Sequence, residues 1–185
     1  MRIDMNKNRR VHCRKLEITT YTDEPGAVIL EGRLLDECFV TRYMMGGEQR
    51  PPGFIHDLVV RMKVSGPALT IAGIDVKMPT VPRSECRQAL DCLDPLVGMP
   101  ITSGFTVRVK ELVGGPKGCA HLVSLVLTMA PAAVQGAWSA ISRTPLDPAL
   151  YADLAMDFLT DTCMIWQKGG SLETEYRERI KALPR

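Results

Sequence analysis

The chain has 185 residues, 45% of them hydrophobic and 24% charged, a composition that supports a packed core and excludes pervasive disorder. Its 23 Lys and Arg stand against 21 Asp and Glu, a net charge of +2, so neither a nucleic-acid nor a membrane-surface footprint is expected. The segment from Met1 to Arg10 is polar and basic, with no apolar leader core. The longest apolar-rich run, Ala120 to Val134, carries His121 and is interrupted by Pro131. It is shorter than the ~20 residues a bilayer span needs. The six cysteines are therefore read as reduced thiols of a cytoplasmic protein rather than as a disulfide framework.

The first half of the chain carries strand patterns. Val11 to Tyr21 alternates around Leu16, Ile18 and Thr20, and Asp23-Glu-Pro-Gly26 signals a turn into a second strand, Ala27 to Leu35. Asp36 to Gly53 holds Met44-Met-Gly-Gly47 and Pro51-Pro-Gly53 and reads as loop. Phe54 to Val64 alternates again, and Ser65-Gly-Pro67 turns into Leu69 to Met78.

After Pro82 the period becomes helical. Ser84 is an N-cap candidate for a helix ending before Pro95. A second helix is expected over Thr106 to Val113, and a third from Gly118 or Cys119, kinking or stopping near Pro131. Asp147-Pro148 opens a fourth that runs to about Gln167, and Ser171 caps a last one with a stripe of Leu172, Tyr176, Ile180 and Leu183. Strands first and helices second predict an α+β fold, an antiparallel sheet of about four strands covered on one face by helices. The expected organisation is an α+β domain over residues 10–144 and a helical hairpin over 145–185, packed on that domain or on a partner subunit.

Three histidines and six cysteines are few enough to weigh one by one. His56-Asp57 opens the third strand, Cys86 opens the first helix, and Cys119 and His121 open the third helix. All lie at ends of regular elements, where side chains converge at one sheet edge, and thiolate, imidazole and carboxylate are ordinary zinc or iron ligands. Cys119 and His121 would point about 200° apart within one regular helix, so they converge only if Cys119 lies at the cap. The blander alternative makes Cys86 and Cys119 small buried hydrophobes and the histidines hydrogen-bonded packing groups. Cys13 and Cys38 lack a histidine at ligand spacing. The glycine-rich run Gly114 to Gly118, carrying Lys117, is either an anion cradle or an ordinary helix-to-helix link. No Gly-x-Ser-x-Gly elbow and no Gly-x-Gly-x-x-Gly fingerprint is present.

His12 beside a basic run, Glu31-Gly-Arg-Leu34, Ile55-His-Asp-Leu58 and Gly114-Gly-x-x-Gly-Cys-x-His-Leu122 resemble the uncharacterised bacterial family called domain of unknown function 2889, over roughly Arg10 to Ile141. More distantly, the element order resembles the NifU/IscU-type iron–sulfur cluster scaffold. That resemblance implies a sandwich in which Asp57, Cys86, Cys119 and His121 take the scaffold's ligand positions, with Ile55 and His56 near the place of its missing first cysteine. Three functions follow as expectations. The first is an accessory protein that binds zinc or iron through Asp57, Cys86, Cys119 and His121, with His56 as substitute or supporting ligand, or that handles sulfur or clusters, serving a metabolic enzyme as a partner subunit. The second is an enzyme with Cys119 as nucleophile and His121 or His56 as base, oriented by Asp57. The third is a metal-free interaction module, homo-oligomeric or bound to a protein partner through its C-terminal helices.

Overall fold

In the computed structural model, residues 8–143, 145, 156 and 158–182 are described. Strand β1 (His12–Thr22) turns through Asp23–Gly26 into β2 (Ala27–Cys38), and Gly26 supplies the left-handed φ of 78° that closes the turn. A small hairpin of β3 (Arg42–Tyr43) and β4 (Gln49–Arg50) leads to β5 (Gly53–Ser65), and a turn at Gly66 leads to β6 (Thr70–Thr80). The long strands form one antiparallel sheet in the order β1-β2-β5-β6. The protein is α+β, with this sheet in its N-terminal half and helices after it.

Because side chains alternate across a strand, one face of the sheet collects Leu30, Gly32, Leu34 and Asp36 from β2, and His56, Leu58, Val60, Met62 and Val64 from β5. Apart from His56 these are buried. The opposite face is a ladder of charged pairs: Arg33 with Asp57, Arg61 with Glu31, and Lys63 with Asp23 and Glu24. Helix α1 (Phe105–Val113) buries Phe105, Val109 and Val113 at helical spacing. Helix α2 (Ala120–Ile141) buries Leu122, Leu125, Val126, Met129 and Ala133. It crosses the sheet at Gly32, where a Cβ would lie 2.7 Å from the Met129 sulfur and 3.2 Å from Leu125 Cδ1. Gly98 to Ile101 hydrogen-bond along the start of β6, at Ile71 and Leu69, and so cover part of that sheet edge.

Several elements differ from expectation. The helix expected from Ser84 is instead a run of 3-10 turns, Ser84–Ala89 and Asp94–Leu96, and Ser84 makes no capping bond. Only Leu93 and Leu96 anchor this stretch in the core, and without a buried stripe at helical spacing it lacks the tertiary packing that stabilises most helices in proteins. The second strand does not stop at Leu35 but continues through Cys38. The third helix passes Pro131 without stopping. By length and composition it is apolar enough to cross a membrane, but its buried stripe is that of a helix laid on a sheet core. The helix expected from Asp147 begins outside the described residues.

Contacts divide the chain into two compact units, Met1–Ala133 and Val134–Arg185, the division falling within α2. The second unit contains helix α3 (Ser171–Lys181), whose cap position is Gly170 rather than Ser171. Trp166 meets Tyr176 edge-on with ring centroids 5.1 Å apart. Buried Glu173 is paired with Arg177 and accepts the Gly169 N–H at 3.1 Å; the arginine holds its carboxyl below the usual range.

The crowding at Gly32 sets a first expectation. Gly32→Val drives branched carbon into buried Met129 and Leu125 and costs about 1–3 kcal/mol of stability in urea unfolding. Gly73→Ala, where a Cβ meets nothing within 4 Å, costs less than Gly32→Val.

A candidate site of three histidines around a buried carboxylate

The turn at Asp23–Gly26 fixes the register of the first hairpin, which sets Arg14 opposite Asp36; the next pairing sets Asp36 opposite His56. Side chains of directly opposed residues share a face, so all three converge on the helix side of the sheet. His12, two residues from Arg14 on the same strand, points the same way. Immediately past the Asp36–His56 pair the ladder shifts, with Glu37 opposite Phe54, which leaves Ile55 as an extra residue. Such bulges bend and twist a strand locally. From above, α2 adds His121 in its first turn.

All three histidines of the chain thus stand around one carboxylate. Asp36 is 2% exposed. It is gripped by Arg14 in a two-pronged pair, Nε to Oδ1 at 2.6 Å and Nη2 to Oδ2 at 2.7 Å. His56 Nδ1 lies 2.9 Å from Oδ2, His12 Nε2 3.4 Å from Oδ1, and His121 Nε2 3.9 Å from Oδ2. The His56 and His121 rings are 3.9 Å apart between centroids and tilted by 35°.

Electrostatics follow from this crowding. The Arg14 guanidinium, aided by His56, outweighs burial and holds the Asp36 carboxyl down at about 2. His121 is pushed below the ordinary imidazole value, first by burial and then by the positive charges of His56 and Arg14, with Asp36 opposing. The site therefore combines a permanently ionised carboxylate with an imidazole biased toward its neutral, lone-pair-bearing form.

The residues singled out from sequence divide. His56 and His121 come together. Cys119 occupies the position before α2, its carbonyl accepting the Val123 N–H at 2.9 Å, and its Sγ lies 3.8 Å from His121 Nδ1. Asp57 does not join them: it sits on the charged face, where Arg33 binds it through Nε at 2.8 Å and Nη2 at 2.7 Å. Adjacent strand positions face opposite ways, so His56 and Asp57 cannot serve one site. Cys86 lies in the 3-10 run. Among the described residues, the His, Cys, Asp and Glu donors that gather within 4.8 Å of one another are those of Asp36, His56 and His121, without Asp57, Cys86 or Cys119. Cys92 is a packing thiol, raised by burial. The glycine run is a tight link: Lys117 Nζ donates to the Glu111 carbonyl at 2.6 Å, and a Cβ at Gly118 would lie 2.5 Å from the Val113 carbonyl oxygen.

Residues 12–135 match a protein family described as "Protein of unknown function (DUF2889)". The chain belongs to the DUF2889 family. Every residue of the carboxylate–histidine cluster falls within the DUF2889 match, which ends close to the boundary of the first compact unit. No curated protein and no solved structure matches the chain, so the resemblance to the NifU/IscU scaffold gains no support from the comparisons.

The linkage at Asp36 gives a second expectation. Its folded pKa of about 2 lies below the ordinary 3.8, so the stabilisation by Arg14 is complete above that ordinary value and fades as pH falls toward 2. With chelator present, Arg14→Ala is about 1–3 kcal/mol less stable than the wild type at pH 7. In thermal unfolding between pH 7 and pH 2, that gap narrows only below about pH 4.

Proposed function

We propose that this DUF2889 protein binds a single divalent transition-metal ion, zinc or iron, through Asp36, His56 and His121, with His12 at the rim as a further imidazole. The observation that carries this reading is the gathering of every histidine in the chain at one ionised, buried carboxylate. Two imidazoles and one carboxylate are a recurrent donor set for zinc and for non-haem iron. Ligands about 2.0–2.1 Å from an ion stand roughly 3 Å from one another, and Asp36 is 2.9 Å from His56 and 3.9 Å from His121. Small side-chain shifts close the set. A carboxylate offers about four acceptor positions, of which Arg14 takes two. The neutral bias of His121 suits a ligand that must offer a lone pair. Nitrogen and oxygen donors favour one ion over an iron–sulfur cluster, and the accessory role expected from sequence becomes that of a mononuclear metal protein.

Chelator-stripped protein titrated with zinc by calorimetry is expected to bind one ion. His121→Ala and Asp36→Asn each weaken binding at least ~10-fold, whereas Asp57→Asn and Cys86→Ser leave it unchanged. Binding that survives the first pair, or absence of binding by a folded wild type, overturns this reading.

A second reading has its own observation. His121 faces Cys119 Sγ through Nδ1 at 3.8 Å and Asp36 through Nε2 at 3.9 Å, so thiol, imidazole and carboxylate follow one another in order. In that arrangement His121 accepts the Cys119 proton and Asp36 steadies the imidazolium, leaving a thiolate nucleophile. In metal-free protein, iodoacetamide would then alkylate Cys119 with a midpoint well below the ~8.5 of a free thiol, and His121→Ala would restore an ordinary midpoint. An ordinary midpoint in the wild type removes this reading.

A further inference from the structure

A cavity of ≈250 Å³ lies between the small hairpin and the start of β5, lined by Arg42, Arg50, Pro51, Pro52, Phe54 and Val81 among others. Arg42 and Arg50 are direct partners in the two-residue β3–β4 ladder. Like charges placed opposite each other on a strand pair repel, and a two-residue hairpin has little else to hold it. Among the described residues, no acidic side chain lines the cavity. Arg50 is partly engaged: Nε and Nη2 reach Glu48 at 3.1 and 3.4 Å, and Nη1 donates to the Pro82 carbonyl at 3.2 Å. Of its five N–H donors this leaves two over. Arg42 is different, since its Nε is buried with no hydrogen-bond partner among the described residues. Buried polar groups are paired in the great majority of proteins, and a guanidinium N–H seeks an oxyanion in a forked geometry.

We propose that this cleft binds a small organic oxyanion, a carboxylate or phosphate carrying a short apolar body. The anion bridges the Arg42 and Arg50 side chains that line the cavity and relieves their repulsion. The apolar body lies against Pro51, Pro52 and half-exposed Phe54. The volume, about that of eight liquid waters, sets the scale: room for an anionic head and one ring or short chain, but not for a nucleotide. This site stands independently of the metal reading, since it uses none of those ligands. It does, however, begin one residue from His56, as Ile55 also lines it.

The test uses the full chain, metal-free in EDTA and at low salt, with benzoate, phenyl phosphate and the neutral amide benzamide as probes, read by calorimetry. Binding of benzoate or phenyl phosphate but not benzamide is expected, the stronger of the two naming the head group. Arg42→Gln is expected to weaken it at least tenfold, Arg42→Lys to weaken it less, and Arg33→Gln, outside the cavity lining, to leave it unchanged. Thermal unfolding checks that each variant is folded. Equal binding of benzamide, equal binding by folded Arg42→Gln, or no binding of either anion by the wild type overturns the proposal.

Discussion

A carboxylate almost wholly withdrawn from solvent stays ionised only if its surroundings replace the lost hydration, because an uncompensated buried charge costs several kcal/mol. At Asp36 the replacement comes from four side chains on three separate elements: Arg14 and His12 on β1, His56 on β5 and His121 on α2. The local architecture follows from satisfying that one group. The edge strand must reach far enough for Arg14 to fold over, β5 must hold its register up to His56, and α2 must begin where its first turn meets the sheet. The chemistry available to the site is then set by what the carboxylate leaves over: lone pairs not used by Arg14, and an imidazole biased toward its neutral form by burial and by its charged neighbours.

The sheet contains an internal control for this argument. Asp36–Arg14 and Asp57–Arg33 are both cross-strand, two-pronged pairs with nearly the same hydrogen-bond lengths. They differ in environment. The Asp36 side chain is 3% exposed, whereas Asp57 is 14% and its arginine 53% exposed. On the open face, water screens the pair and its net worth is small; beside it run further exposed pairs of the same kind, the pattern of a solvated surface. On the covered face the same chemical pair sits among imidazoles that also need partners. Burial and convergence, not the presence of an Asp–Arg pair, mark the first as a candidate centre and the second as surface.

Much of this was legible in the residues. The alternation of β1, β2, β5 and β6, the turn at Asp23–Gly26, and helices over Phe105–Val113 and from Ala120 all follow from periodicity and punctuation, and they suffice for the α+β class. His56, His121 and the cap position of Cys119 were visible because rare chemistry-bearing residues at element ends stand out. Asp36 was not, because a charged residue after Leu34-Leu35 looks like the start of a loop. The signal that would have found it is register: pairing outward from the turn carries Arg14, and with it His12, to the end of a longer second strand. Asp57 was singled out because it adjoins His56 in sequence and matches the aspartate of the scaffold resemblance, yet in a strand such neighbours are the residues least able to act together. Cys86 was drawn in by an expected helix that the prolines and sparse apolar anchors do not sustain.

The two readings of the site compete for one resource, the lone pair of neutral His121. Bound to a metal, it cannot also accept a proton from Cys119; accepting that proton, it becomes an imidazolium pressed against His56 at 3.9 Å and loses its value as a ligand. The stacked pair tolerates one positive charge far better than two, so any condition that protonates His56 works against a proton on His121 and weakens the nucleophile reading. A bound ion would use both rings as neutral donors and place its charge beside Asp36, with the nearby Arg14 guanidinium opposing it as it opposes a proton on His121. The geometry that makes His121 a reluctant base therefore makes it a willing ligand, and this asymmetry ranks the metal first.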